Sequence, residues 1–176
     1  MAAALLGAAA LDKNDQAQRY VNRVGVYLAS FSARPNLAWR FGVLDDDGYN
    51  AFAAPGGYIF VTRGLLNDLQ SEAELAGVLA HEITHVTKKH HLKAVQKNNR
   101  IGALTDVVGA IGERQLEGSN RGQMKAEVAK KLLNASKELY ARGLDKGDEF
   151  QADEKAISLM SGAGYDPYAF YAVLQR

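Results

Sequence analysis

Between positions 79 and 91 the chain reads LAHEITHVTKKHH, and all four histidines of the 176-residue sequence lie inside that stretch. Their spacing limits what the segment can become. On a helix each residue turns the side chain by about 100°, so residues four apart sit nearly one above the other, with Cβ atoms roughly 6 Å apart. His81 and His85 therefore share a face. Two imidazoles so placed can reach one zinc ion at about 2.0–2.1 Å each, and Glu82, directly after the first, swings to the side where a metal-held water would stand. This HExxH arrangement predicts one zinc ion per chain, with Glu82 as general base on a zinc-bound water that attacks a peptide carbonyl. The competing reading is a pair of surface histidines astride one helical turn. The small and apolar residues before them, on a well-capped helix, argue against it.

Ser71 with Glu74 has the form of a capping box, and Leu75, Leu79, Ile83 and Val86 recur at helical spacing behind it. If that helix runs on unbroken, His90 is rotated about 160° from the mean direction of His81 and His85 and joins the apolar residues. It is then a hydrogen-bonded core histidine that faces away from the metal. His91 points to neither face. With Lys88, Lys89, Lys93, Lys97 and Arg100 it forms a basic stretch with no acid between Glu82 and Asp106, expected to be a solvated face. An anionic partner or peripheral membrane contact is the alternative.

A catalytic zinc takes three protein ligands and leaves one position open. With the other histidines facing away, a carboxylate must supply the third. The downstream segment GDEFQADEKA offers Glu149 and Asp153, four apart and so on one helical face. One can bind zinc while the other accepts the second N–H of a ligating imidazole, a role that suits Asp153. By spacing alone Asp145, Asp148 and Glu154 compete with Glu149, since acids in a first helical turn are favourable against its dipole without any metal.

Upstream, Tyr20, Val21, Val24, Leu28 and Phe31 mark an amphipathic helix over residues 12–32. WRFGVL (39–44) and YIFVT (58–62) are rich in aromatic and β-branched residues and are bounded by turn signals, so they read as strands. The fold class is therefore α+β, mainly helical with a small sheet. Glycines at 102, 109, 112, 118 and 122 interrupt an apolar run, which reads as a flap over the cleft or a plain surface excursion. A further helix over residues 124–139 ends at Gly143, and a last helical pair flanks GAGYDP (162–167). The length suits one domain, residues 12–176. A net charge of +1 gives no reason to expect nucleic acid, and the absence of cysteine excludes disulfides and thiolate ligands. MAAALLGAAAL (1–11) lacks a basic n-region and falls short of the roughly 20 residues of a spanning helix, so it reads as a leader remnant or an artificial edge, and no transmembrane helix is expected.

NAFAAPGGYIFVTRGLL (50–66), SEAELAGVLAHEITHV (71–86) and DEFQAD followed by GAGYDP together resemble the zinc metallopeptidases of family forty-eight, the group of the CAAX prenyl protease, HtpX, mitochondrial Oma and the BepA-like proteases. The resemblance implies that Glu149 is the third zinc ligand and Asp153 the aspartate of its ExxxD motif. It implies a gluzincin-like fold with the sheet beside the active-site helix, whose edge strand pairs with an extended substrate; Tyr58, Ile59, Phe60 and Val61 would be that edge. Protein or peptide substrates, extended or misfolded, are implied as well, in a soluble BepA-like branch acting in protein quality control in the periplasm or otherwise outside the cytoplasm. Such relatives often carry a tetratricopeptide extension after the protease domain, and the residues up to Arg176 do not include one. Some gluzincins set a distant histidine against the tetrahedral intermediate. None exists outside 81–91 here, so Arg142, then Tyr140, are the expected oxyanion donors. A chaperone-like client-binding module with minor hydrolysis is the alternative function. A purely structural metal domain is disfavoured by Glu82, because structural sites fill all four positions and need no base.

Overall fold

A computed structural model describes residues 10–54, 56–97 and 144–175. Helix α1 (Asp15–Ser30) opens at Asn14, whose side-chain oxygen accepts the N–H groups of Gln16 and Ala17, each at 3.1 Å. Two of the donors that a helix start leaves orphaned are thereby satisfied. Val21, Val24 and Leu28 form the buried stripe, while Phe31 lies past the helix end and is exposed. From the same helix Gln18 accepts the N–H of Val43 at 2.9 Å and donates to its carbonyl at 2.8 Å, and Asn22 accepts the N–H of Phe41 at 3.2 Å. These amides, with Leu11 bridging Leu44, occupy the outer edge of strand β1 (Arg40–Leu44).

Strands β2 (Ala51–Ala54) and β3 (Tyr58–Thr62) complete a sheet of order β1-β3-β2, with β1 parallel and β2 antiparallel to β3. This corrects the expectation that Tyr58, Ile59, Phe60 and Val61 form a substrate-binding edge. Ile59 pairs with Phe41 on one side and Ala53 on the other, so the β3 ladder is used on both sides. The reason is visible in its composition. Ile59, Phe60, Val61 and Thr62 are all buried, and a strand buried without alternation belongs in the middle of a sheet. Strand β2 escaped the sequence reading because alanine is a poor strand former. Gly56 and Gly57, at φ of 95° and 88°, turn the chain from β2 into β3 through a backbone region that side chains disfavour.

After the short helix α2 (Arg63–Asp68), helix α3 (Glu72–Lys88) carries the HExxH residues. Ser71 Oγ accepts the Glu74 N–H at 3.2 Å, but the Glu74 carboxylate reaches back to the N–H of Gln70, at 2.7 Å, rather than to that of Ser71. Leu75, Leu79 and Ile83 are fully buried against the sheet and α1. At Lys89 the helix stops. This residue takes a left-handed conformation (φ 58°, ψ 34°), donates its N–H to the carbonyls of His85 and Val86, and hands the chain to helix α4 (His90–Lys97). Helix α5 (Lys146–Gly162) then packs along α3, and α6 (Tyr168–Leu174) also packs on α3. The α5 stripe Ala152, Ala156, Met160 is fully buried, and its last two members meet Ala80 and Phe170. Gly77 makes the approach of α6 possible, since a Cβ there would lie 2.7 Å from that of Phe170.

The chain is thus α+β and mainly helical, with its sheet beside α3. Among the described residues no helix is long and apolar enough to cross a membrane. The glycine-rich stretch 101–122, the expected helix over 124–139 and residues 1–9 lie outside the described residues.

Candidate active site

Helical spacing stacks His81 over His85 on α3, and the small residues of α3 and α5 let the second helix close on that face. The Nε2 atoms of the two imidazoles are 2.8 Å apart, and the Glu149 carboxylate lies 3.4 Å from that of His81 and 3.8 Å from that of His85. One ligand atom from each of the three falls within 4.8 Å of the others. One turn further along α5, Asp153 Oδ1 is 2.9 Å from His81 Nδ1. A carboxylate only accepts, so the proton of His81 sits on Nδ1 and its Nε2 is left to face Glu149. His85 is almost wholly buried, and the Phe170 ring lies beside His81 with ring centres 5.8 Å apart and planes tilted by 44°.

Glu82 points off this face into the protein and is also buried. The backbone N–H of Ala53 on β2 supports its carboxylate, yet Oε2 has no partner among the described residues. Burial, with the nearby Glu149 charge, pushes the Glu82 carboxyl up to about 7, against the opposing pull of His81 and the Ala53 N–H. Burial would lower His81, but its hydrogen bonds to Asp153 and Glu149 and the charge of Glu82 outweigh this and push it up to about 10. His85 goes the other way, down to about 2, through burial first and then the positive charge of its histidine neighbours. Unless an ion stands between the rings, His81 is the one that takes a second ring proton, at the Nε2 that faces Glu149, and His85 stays neutral.

Two histidine expectations need correction. His90 is the buried, hydrogen-bonded histidine expected, but it does not face away from the pair: its Nδ1 is 3.0 Å from His85 Nδ1. Nor is His91 on a solvated face, being buried with its ring centre 5.4 Å from that of His85 and both ring nitrogens without a partner among the described residues. The cause is the left-handed Lys89, which ends α3 and starts α4 in a new direction, so a helical wheel continued past Lys88 misdirects both rings. Ala53 and Gln151 are neighbours of the site that the sequence reading does not include, and Asp148, weighed there only as a rival to Glu149, stands against His90 instead. A signal for the latter two was present, since Asp148 and Gln151 are three apart beside the Glu149 and Asp153 pair and so share an adjacent helical stripe. The expected oxyanion donors Arg142 and Tyr140 lie outside the described residues.

The donor set fits a zinc ion. A tetrahedral ion with ligands at about 2.1 Å holds them about 3.4 Å apart; the two Nε2 atoms are 2.8 Å apart, Glu149 Oε2 is 3.4 Å from that of His81 and Glu149 Oε1 is 3.8 Å from that of His85, so both carboxylate oxygens lie close to the distance a shared ion needs. Two imidazole nitrogens and a carboxylate converging in this way repel one another unless a cation or proton stands between them.

Comparison with known proteins agrees with this geometry. A family model described as peptidase family M48 matches residues 15–175. The chain is 31% identical over 158 residues to a beta-barrel assembly-enhancing protease of Yersinia pestis, covering 90% of this chain and 32% of that protein. It is 29% identical over 172 residues to the protein of the same name in Escherichia coli, covering 98% of this chain and 35% of the relative. With a mitochondrial metalloendopeptidase OMA1 of Schizosaccharomyces pombe it shares 29% over 158 residues, 89% of this chain and 43% of that one. The chain therefore spans about a third of the length of the first of these relatives.

Proposed function

The chain belongs to peptidase family M48, and on that footing we propose that residues 12–176 act as one zinc-dependent metalloendopeptidase domain. The observation that carries the reading is the convergence of His81 Nε2, His85 Nε2 and the Glu149 carboxylate beside a buried glutamate with an unpartnered oxygen. His81, His85 and Glu149 hold one zinc ion. Bound there, zinc supplies Lewis acidity that polarises a peptide carbonyl and makes water a usable nucleophile near neutral pH.

The rest of the chemistry belongs to the chain. Asp153 accepts the Nδ1–H of His81, which fixes the ring and makes it a stronger ligand. Glu82 takes a proton from the attacking water at its carboxylate and passes it to the leaving amine. Its burial suits this work, because a base poised near 7 can both accept and return a proton at neutral pH. The Ala53 N–H keeps that carboxylate in place while leaving Oε2 without a bond. The substrates are extended or misfolded segments of other proteins, and the setting is extracytoplasmic quality control. The resemblance to the BepA-like branch supports this, as do relatives whose names speak of β-barrel assembly.

Zinc content per chain and casein hydrolysis test the assignment, measured on the parent protein, Glu82→Gln and Glu149→Ala. The parent should bind one zinc and cut casein. Glu82→Gln should keep the metal and lose at least about a hundredfold in rate, whereas Glu149→Ala should lose much of the metal. If the parent carries zinc and holds casein without cutting it, the client-binding alternative gains instead. A parent that binds no zinc ends the reading altogether.

A further inference from the structure

His90 is the one fully buried imidazole of the chain's described residues, and burying such a ring is costly unless its nitrogens are bonded. Both are. Its Nε2 is 3.1 Å from Gln151 Oε1 and 3.5 Å from Asp148 Oδ1, and its Nδ1 is 3.0 Å from the Nδ1 of His85. The proton positions follow by elimination. The Asp148 carboxylate can only accept, and so can an amide oxygen, so the His90 proton sits on Nε2. A neutral His90 then offers a lone pair at Nδ1, and the short contact to His85 closes only if His85 Nδ1 donates. His85 Nε2 is thereby left as a bare lone pair, aimed at His81 Nε2 and Glu149.

We infer that His90 is a positioning residue for His85, holding that ligand in its Nδ1–H tautomer through a relay that runs from Asp148 and Gln151 through His90 to His85. The inference rests on the reading of His85 as a metal ligand. It completes a pattern: His81 is oriented by an acceptor from α5 directly, and His85, which no carboxylate reaches at Nδ1 among the described residues, is oriented by an imidazole that α5 supports in turn. The left-handed Lys89 is what lets it happen, because it turns the chain so that the next residue folds back beneath the previous helical turn.

The experiment has two parts. The first is the long-range proton–nitrogen correlation spectrum of the histidine rings in the zinc-loaded parent chain. It should show His85 protonated at Nδ1 and His90 protonated at Nε2 with an unprotonated Nδ1. The opposite tautomer at either ring overturns the inference, and this reading needs no variant to fold. The second is zinc affinity by competition with a chromophoric chelator for His90→Leu and His90→Asn. Leucine removes the acceptor and keeps apolar volume, and should weaken zinc binding about 10- to 100-fold, the usual effect of losing such a support. Asparagine places an amide oxygen near the position of Nδ1 and should recover most of that loss. Equal weakening by both, or affinity within twofold of the parent for leucine, overturns the relay while leaving the zinc assignment standing. A parent that takes up no zinc would instead sink the proposed function beneath it.

Discussion

Glu82 carries an electrostatic cost that His81 and the Ala53 N–H offset only in part. Its carboxyl is buried, its Oε2 lacks a partner among the described residues, and burial lifts its pKa from the ordinary 4.5 to about 7. Between those two values the folded chain binds the proton more tightly than the unfolded chain, so stability falls as pH rises through this window. Above about 7 the full penalty remains, on the order of 3 kcal/mol for a shift of this size. A glutamine at the same place is neutral at every pH and can still accept the Ala53 N–H. Glu82→Gln should therefore raise the thermal midpoint of the metal-free protein at pH 8, and that gain should shrink towards nothing near pH 4.5. Melting curves at the two pH values decide it; a gain of equal size at both would mean that packing, not the charge, was relieved. The sequence marked Glu82 as the base through its place beside His81, but it held no sign of the cost, which comes from β2 closing over the carboxylate.

At the level of elements, legibility followed the strength of local signals. The capped start of α3, the i, i+4 pairs and the apolar strand β3 could be recognised in the sequence, since each rests on a periodicity or composition that tertiary contacts reinforce. The break at Lys89 could not. Left-handed helix ends are usually marked by glycine or asparagine, and here two lysines fill the junction. That conformation costs a residue with a Cβ about 1 kcal/mol or more. Lys89→Gly should thus be at least as stable as the parent in urea melts, whereas Lys89→Val should lose about 1–2 kcal/mol, because branching at Cβ worsens the same strain. A valine variant as stable as the parent would mean that the junction does not hold this turn. The α3–α6 contact is similarly hidden. Nothing local distinguishes Gly77, yet an added Cβ would meet Phe170 at 2.7 Å and its Cα at 3.0 Å. Gly77→Ala should cost about 1–3 kcal/mol by overpacking, despite alanine being the better helix former; an unchanged or higher midpoint would show that α6 yields freely.

For the whole molecule, the site joins two parts of the chain that are far apart in sequence. His81 and His85 belong to α3, which is buried against the sheet and α1, while Glu149 and Asp153 belong to the opening turns of α5. The anchors of α5 are unevenly placed. Its buried residues, Ala152, Ala156 and Met160, begin only after Glu149, and the first turns carry exposed residues, including Phe150 at 80% exposure. With few apolar contacts of their own, those turns belong to the low-stability end of the fold, where opening costs least. Zinc at the three converging ligands would tie them to the most buried helix among the described residues. By linkage, zinc at about a thousandfold over its dissociation constant adds roughly 4 kcal/mol to stability, and the distribution of that gain is itself informative. Hydrogen exchange measured with zinc and again after chelation should slow most at the amides of residues 150–153, with little change near Met160 or along β3. A uniform change across the chain would mean that the metal stabilises only global folding, and no change at 150–153 would mean that the packing of α5 on α3 already holds Glu149 in place without it.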